Sequence, residues 1–98
     1  MTDHINYVIR SKVDGKYLVA RLQEDEDRPE ATYLLLFKED YDALSYVNTH
    51  GQDLRDRLMV ESTSANQLKG LLKRWGYQGI ALVEDPLLPT IQFMLAED

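Results

Sequence analysis

Residues 62–86 read Ser62-Thr63-Ser64-Ala65-Asn66-Gln67-Leu68-Lys69-Gly70-Leu71-Leu72-Lys73-Arg74-Trp75-Gly76-Tyr77-Gln78-Gly79-Ile80-Ala81-Leu82-Val83-Glu84-Asp85-Pro86. Ser64 with Gln67 three residues on is a capping box, in which the serine hydroxyl and the glutamine side chain satisfy each other's orphan backbone amides. Leu68, Leu71, Leu72 and Trp75 then recur at i, i+3, i+4 and i+7, which is one face of a helix. Lys69, Lys73 and Arg74 lie off that face, and the two late cations suit the negative end of the helix dipole. Gly76 is placed to take the left-handed conformation that ends a helix. Ile80–Val83, closed by Asp85-Pro86, is too short for a helix and reads as a buried strand.

Upstream of this unit, Leu58–Val60 is a short strand and Gln52–Asp56 a polar loop. A first helix of about three turns starts at Glu39 or Asp40, buries Ala43, Leu44 and Val47, and stops near Gly51. Ala31–Phe37 is apolar on both faces, with Tyr33, Leu35 and Phe37 on one and Leu34 and Leu36 on the other, as in a central strand. Ile5–Leu22 reads as a hairpin about Asp14-Gly15, a type I′ turn signal that needs positive φ at both positions. That turn sets Val13 opposite Lys16, Ser11 opposite Leu18, Ile9 opposite Ala20 and Tyr7 opposite Leu22. The core face is then Tyr7, Ile9, Leu18, Ala20 and Leu22, and the outer face Val8, Arg10, Lys12, Tyr17, Val19 and Arg21. Downstream, Pro86-Leu87-Leu88-Pro89 turns the chain, with one leucine expected to staple the turn to the core. The last strand, Thr90–Leu95, has Ile91, Phe93 and Leu95 on one face and Met94 on the other.

The order β-β-β-α-β-α-β-β predicts one α+β domain over residues 1–98, a two-layer sandwich with both helices on one face of a mostly antiparallel sheet. Helices on one face would leave Leu34, Leu36 and neighbouring apolar residues bare on the other. A monomer rarely exposes so large an apolar patch, so a homodimer follows as the expectation.

Composition narrows the function by exclusion. With 44% hydrophobic and 29% charged residues the chain is a globular protein, not a disordered one. It has no cysteine, which excludes disulfides, thiol catalysis, iron–sulfur clusters and thiolate zinc sites. No apolar run reaches the roughly 18 residues of a membrane span, and Met1–Asn6 lacks the features of a signal peptide, so the chain reads as cytoplasmic. The net charge of −6 is uneven: residues 23–48 carry eight acids against Arg28 and Lys38, which argues against general nucleic-acid binding.

The layout from Lys16 to Met94 resembles the small SseB-like domains. The likeness rests on a hairpin leading to Tyr33-Leu34-Leu35-Leu36-Phe37, the acidic helix start Glu39-Asp40-Tyr41-Asp42-Ala43-Leu44, and Gly79-Ile80-Ala81-Leu82-Val83-Glu84-Asp85-Pro86 before a last strand. Lys38 and Asp85 stand where that family usually shows Thr or Ser and Asn. A family of uncharacterised small cyanobacterial and plastid proteins is similar in the same strand, acidic helix and strand layout. Neither family carries an assigned catalytic residue, and the resemblance implies a non-enzymatic accessory or regulatory domain.

Candidate sites are few. His4 and His50 are the only histidines, one near the terminus and one at a helix end beside Gly51. There is no nucleophile elbow, no Gly-rich phosphate loop, no paired-histidine zinc spacing, and no carboxylate pair flanked by the apolar residues that raise a pKa. The expectation is no enzyme, no catalytic or metal residue and no cofactor. Arg10, Tyr17, Val19 and Arg21 on the outer hairpin face, with Leu34 and Leu36, are the candidate partner-binding residues, suited to an anionic patch on a protein. The alternative is a metal- or small-ligand sensor using the acidic loop Glu24–Glu30, although that run lacks the alternating oxygen-ligand spacing of a calcium loop. A solvated loop predicts that millimolar Ca²⁺ leaves the melting temperature within a degree. A true site stabilises by about 2.7 kcal/mol at a hundredfold excess over Kd, so a shift of several degrees abolished by Asp25→Asn and Asp27→Asn would establish one.

Overall fold

The computed structural model describes residues 5–23, 25–87 and 90–95. In chain order the elements are β1 (Ile5–Ser11), β2 (Val19–Leu22), β3 (Ala31–Phe37), α1 (Asp40–His50), a 3₁₀ helix (Gln52–Arg57), β4 (Leu58–Ser64), α2 (Ala65–Trp75), β5 (Gly79–Asp85) and β6 (Thr90–Leu95). The class is α+β, and the element order is the expected one. The 3₁₀ helix replaces the polar loop, and β4 runs four residues beyond Val60, as far as the Ser64 cap.

β3 is the hub of the sheet. Its sequence carries no charge, and Tyr33 through Phe37 are all buried. One edge pairs in parallel with β5, from Tyr33 opposite Gly79 to Phe37 opposite Val83. The other edge is shared: Phe37 lies opposite Tyr7 of β1, and Leu34 to Ala31 pair with Val19 to Leu22 of β2. The path across the sheet is β4-β1-β3-β5-β6, with β2 also on β3, and every pairing except β3–β5 is antiparallel.

The helices lie on opposite faces of this sheet, which corrects the expectation that both cover one. Ala43 and Val47 of α1 pack with Ile9, Tyr33, Leu35 and Phe37, whereas Leu72 of α2 packs with Val8, Leu34 and Leu36, flanked by Leu68 and Leu71. Alternate β3 residues point to opposite faces, so each of its two apolar sets needs its own cover. Leu34 and Leu36 are consequently buried under α2, and the bare face from which a homodimer was expected does not exist. On α1 the third inward residue is Tyr46, tilted on Phe37 at 5.4 Å, and Leu44 faces out.

The first turn also differs from expectation. Positive φ occurs at Gly15 (73°) but not at Asp14, so the turn is not type I′. Ser11 N donates to Lys16 O (2.8 Å), Gly15 N to Ser11 O (3.0 Å), and Arg10 bridges Tyr17, which makes a four-residue loop and moves the register by two. Side chains drive this. Asp14 Oδ1 accepts from Lys16 N and Ser11 Oγ from Val13 N, local bonds that favour a loop with a single left-handed residue. The Lys16 amide holds the exposed Asp14 carboxyl below its ordinary pKa. A shift of two keeps every side chain on its face, so Ile9 and Leu18 still meet the α1-side core and Val8 and Tyr17 the α2 side. β2 pairs with β3 rather than extending the ladder with β1, whose full length pairs with β4. In the last turn Pro86 is buried and Leu87 is exposed, so Leu87 is not the staple, and Leu88 lies outside the described residues.

The capping box at Ser64 is formed: Gln67 N donates to Ser64 Oγ and Ser64 N to Gln67 Oε1. Gly76 is left-handed (φ 72°) and its amide reaches the last carbonyls of α2. Gly79 answers a steric need, since a Cβ there would collide with the Met94 carbonyl and come within 2.9 Å of Leu95 Cα. Urea unfolding should show Ser64→Ala costing about 1 kcal/mol. Gly79→Ala should cost about 2 kcal/mol or more by overpacking, with the β5–β6 amides losing exchange protection first.

Candidate binding groove

Even-numbered residues of β1 face α2, and the β4 residues opposite them do the same: Thr63 opposite Asn6, Glu61 opposite Val8, Met59 opposite Arg10. The chain leaves β4 directly into the capped start of α2, which crosses over β3 and leaves the outer strands partly open. The result is a groove of about 940 Å³ between α2 and the β1–β4 pair. Its walls carry Arg10, Tyr17, Glu61, Asn66, Arg74 and Trp75, and Gly70 opens the helix side, where an added Cβ would meet nothing within 4 Å.

Arg10 is held from three sides. Nε donates to Gly15 O (2.9 Å), Nη1 lies 3.6 Å from Glu61 Oε1, and the guanidinium sits over the Tyr17 ring at 5.1 Å. Such a pre-positioned guanidinium loses little side-chain entropy when it meets an anion. Tyr17 stands edge-on to Trp75 (5.8 Å, 87°), and Trp75 is nearly parallel to Tyr77 (6.2 Å, 18°). Tyr17 and Trp75 therefore line one end of the groove, with Tyr77 stacked on Trp75 outside its lining, and Trp75 keeps 40% of its surface exposed. Arg74, in the last turn of α2, makes no ion pair among the described residues.

Charge is segregated across the sheet. Residues 62–83, which include α2, carry Lys69, Lys73 and Arg74 and no acid. Residues 39–54, which include α1, carry Glu39, Asp40, Asp42 and Asp53 and neither lysine nor arginine. On the acidic side Glu39 is the main cause pushing the Tyr41 phenol above its ordinary pKa, with burial, Asp42 and Asp40 adding to it.

The groove gathers two of the candidate residues, Arg10 and Tyr17. Val19 and Arg21 share the α2 face but do not line it, and the exposed Arg21 Nε lies 3.7 Å from Glu30 Oε1. Leu34 and Leu36 are core residues, not surface ones. The sequence reading gives Arg74, Glu61 and Gly70 no binding role and places Trp75 on the apolar face of the helix. Its signal was Trp75 at the end of the apolar stripe between Arg74 and Tyr77, where a large amphipathic ring can remain half out of the core.

Elsewhere His50 and the acidic loop make local contacts. His50 Nε2 lies 3.0 Å from Pro86 O, and since a carbonyl only accepts, that nitrogen carries the hydrogen. The ring also packs on Tyr46 at 4.8 Å, tying the end of α1 to the β5–β6 turn. His4 and Glu24 lie outside the described residues. In the rest of the loop Asp25 Oδ1 accepts from Asp27 N, and among the described residues no three acidic or histidine side chains converge as a metal set. No described helix is long and apolar enough to cross a membrane. No family model, curated protein or solved structure matches the chain.

Burial, and then the neighbouring Tyr17 phenol, raise the Tyr77 pKa above the ordinary tyrosine value. Below about pH 10 the phenol is neutral in folded and unfolded chains alike. As pH rises past that value the unfolded chain releases its proton first, so stability falls until the folded pKa is also passed. Urea midpoints measured from pH 8 to 11 should therefore decline at the alkaline end, and Tyr77→Phe should flatten that decline relative to the parent chain.

Proposed function

We propose that this chain is a small, non-enzymatic, regulatory protein-binding module that takes an acidic segment of a protein partner into the groove between α2 and the β1–β4 pair. One observation carries the reading. In a chain of net charge −6, the groove is walled by an acid-free helix bearing Arg74, by the pre-positioned Arg10 and by the edge-on pair Tyr17 and Trp75. Arginine and half-exposed aromatics are the residue types that dominate binding energy at protein interfaces. Glu61 is the groove's one carboxylate, and its pairing with Arg10 orients the guanidinium while leaving other N–H donors for a ligand. The groove's side chains offer hydrogen bonds, charge and aromatic contact, which support recognition. The accessory role implied by the SseB-like resemblance, and a cytoplasmic setting, agree with this.

Gly70 supports the same reading. A glycine inside a helix costs about 1 kcal/mol relative to alanine, and this one leaves the groove wall flat enough for a ligand backbone to approach closely.

Trp75 is the chain's only tryptophan, so its fluorescence reports on the groove alone. Titration with a synthetic Asp/Glu-rich peptide containing one tyrosine should shift that emission, and binding should weaken as salt rises. Arg74→Ala should reduce affinity three- to tenfold, or about 0.7–1.4 kcal/mol, with the fold intact. Equal binding of the Asn/Gln version of the peptide would overturn the proposal, as would a response only to single-stranded nucleic acid. In parallel, Gly70→Ala should stabilise the protein by about 0.5–1 kcal/mol while lowering affinity for the acidic peptide. An alanine variant that binds the peptide as well as the parent removes the argument from Gly70.

A further inference from the structure

β6 is the outermost strand beyond β5, and among the described residues no strand pairs with its outer edge. Exposed edges are ordinarily blunted by lysine, proline, an inward charge or a bulge, because unpaired backbone groups recruit another strand. Thr90-Ile91-Gln92-Phe93-Met94-Leu95 has no charge and no proline, and the register shift in its pairing with β5 lies between Val83 and Asp85, before the stretch from Ile91 to Leu95. The opposite edge strand differs, since β4 carries Glu61 and runs straight into α2.

Ile91, Phe93 and Leu95 share the α1 face with Val83, Ala81 and Gly79, their partners on β5. α1 lies chiefly over β4, β1 and β3 on that face. Phe93 meets Tyr33 edge-on at 5.0 Å yet stays 40% exposed. Leu95 has no side chain opposite it, because its partner is Gly79, and it is 73% exposed.

We propose that β6 pairs with β6 of a second copy of this chain, antiparallel about a two-fold axis at Phe93. The occupant follows from the pattern. A two-fold interface must be complementary to itself, and Ile91, Phe93 and Leu95 are arranged symmetrically about Phe93. With Phe93 opposite Phe93, Ile91 of each copy stands beside Leu95 of the other, and Gln92 beside Met94. The apolar row on the α1 face becomes continuous across the axis, the partner's Leu95 gains an apolar neighbour, and no charge is buried. A foreign strand would not call for this symmetry. The contact is a single six-residue strand pair, smaller than the roughly 1,200 Å² of a stable interface, so the dimer is weak, with a Kd on the order of 10–100 µM. Because each copy is acidic, salt screens their repulsion and strengthens the dimer. That is opposite to its effect on acidic-peptide binding in the groove, so the two surfaces are tested separately.

Sedimentation velocity on the full chain from 10 µM to 1 mM should show the 11.4 kDa species giving way to twice that mass, more readily at 500 than at 50 mM NaCl. Leu95→Lys should abolish the dimer, and Val13→Lys, at an equally exposed apolar position in the first turn, should leave it unchanged. The chain has no cysteine, so Phe93→Cys introduces a unique thiol. Directly opposed antiparallel residues lie about 4.5–5.5 Å apart at Cα, within disulfide reach. Mild oxidation should therefore cross-link Phe93→Cys and spare Leu44→Cys on α1. A monomer at 1 mM, or a dimer that survives Leu95→Lys, would overturn the proposal.

Discussion

Everything in this structure depends on β3 being apolar on both faces. Leu34, Leu35, Leu36 and Phe37 are all buried, and each such side chain contributes about 1.5–3 kcal/mol only while water is kept off it. A strand of this kind cannot sit under one layer of helices. It forces the two helices apart, one to each face, and both of its edges are occupied. A helix with its side chains is about 10 Å wide, and strands are spaced about 4.8 Å apart, so one helix covers two or three strands. Five strand positions lie across the sheet. Each face must therefore remain open somewhere.

The two openings are different in kind. On the α2 face the open strands are β1 and β4, whose half-buried side chains there include Arg10 and Glu61, and the gap is a polar groove with an aromatic end. On the α1 face the open strand is β6, which is neutral and apolar. One gap suits a charged visitor that approaches the helix, the other a strand that extends the sheet. They lie on opposite faces and toward opposite edges, so occupation of one leaves room at the other. The charge difference between the helices adds direction, since an acidic surface is drawn toward α2 and repelled by α1.

Local structure was legible in the sequence where one short-range rule decided it. The cap at Ser64, the left-handed stop at Gly76 and the two-faced Ala31–Phe37 strand are cases in which neighbours within a few residues supply the partners. The first turn was harder, because Asp14-Gly15 carries a hairpin signal that the side chains of Ser11 and Asp14 override. The face on which each helix lands depends on its neighbours in space, and no periodicity within Leu68–Trp75 records that Leu72 meets Val8, more than sixty residues away. Half the groove was visible for the same reason. Arg10 and Tyr17 stand out on one strand face, whereas Arg74 and Trp75 join them only through the packing of α2.

The parallel pairing of β3 with β5 has a consequence in time. These strands are neighbours in the sheet but are separated in the chain by α1, the 3₁₀ helix, β4 and α2. A nascent chain that has emerged only through Phe37 has made its central strand with neither helix and only one edge filled. β5 cannot dock until Val83 has been added. Pairings so distant in sequence form late, after a large loop has been closed. From the addition of Phe37 to that of Val83 the chain therefore exposes the segment Tyr33-Leu34-Leu35-Leu36-Phe37, a run of high β-propensity and no charge. Within seven residues before it lie Glu26, Asp27, Arg28 and Glu30, and directly after it Lys38, Glu39 and Asp40. These flanking charges act as gatekeepers that hold the run apart from other chains until its partners arrive.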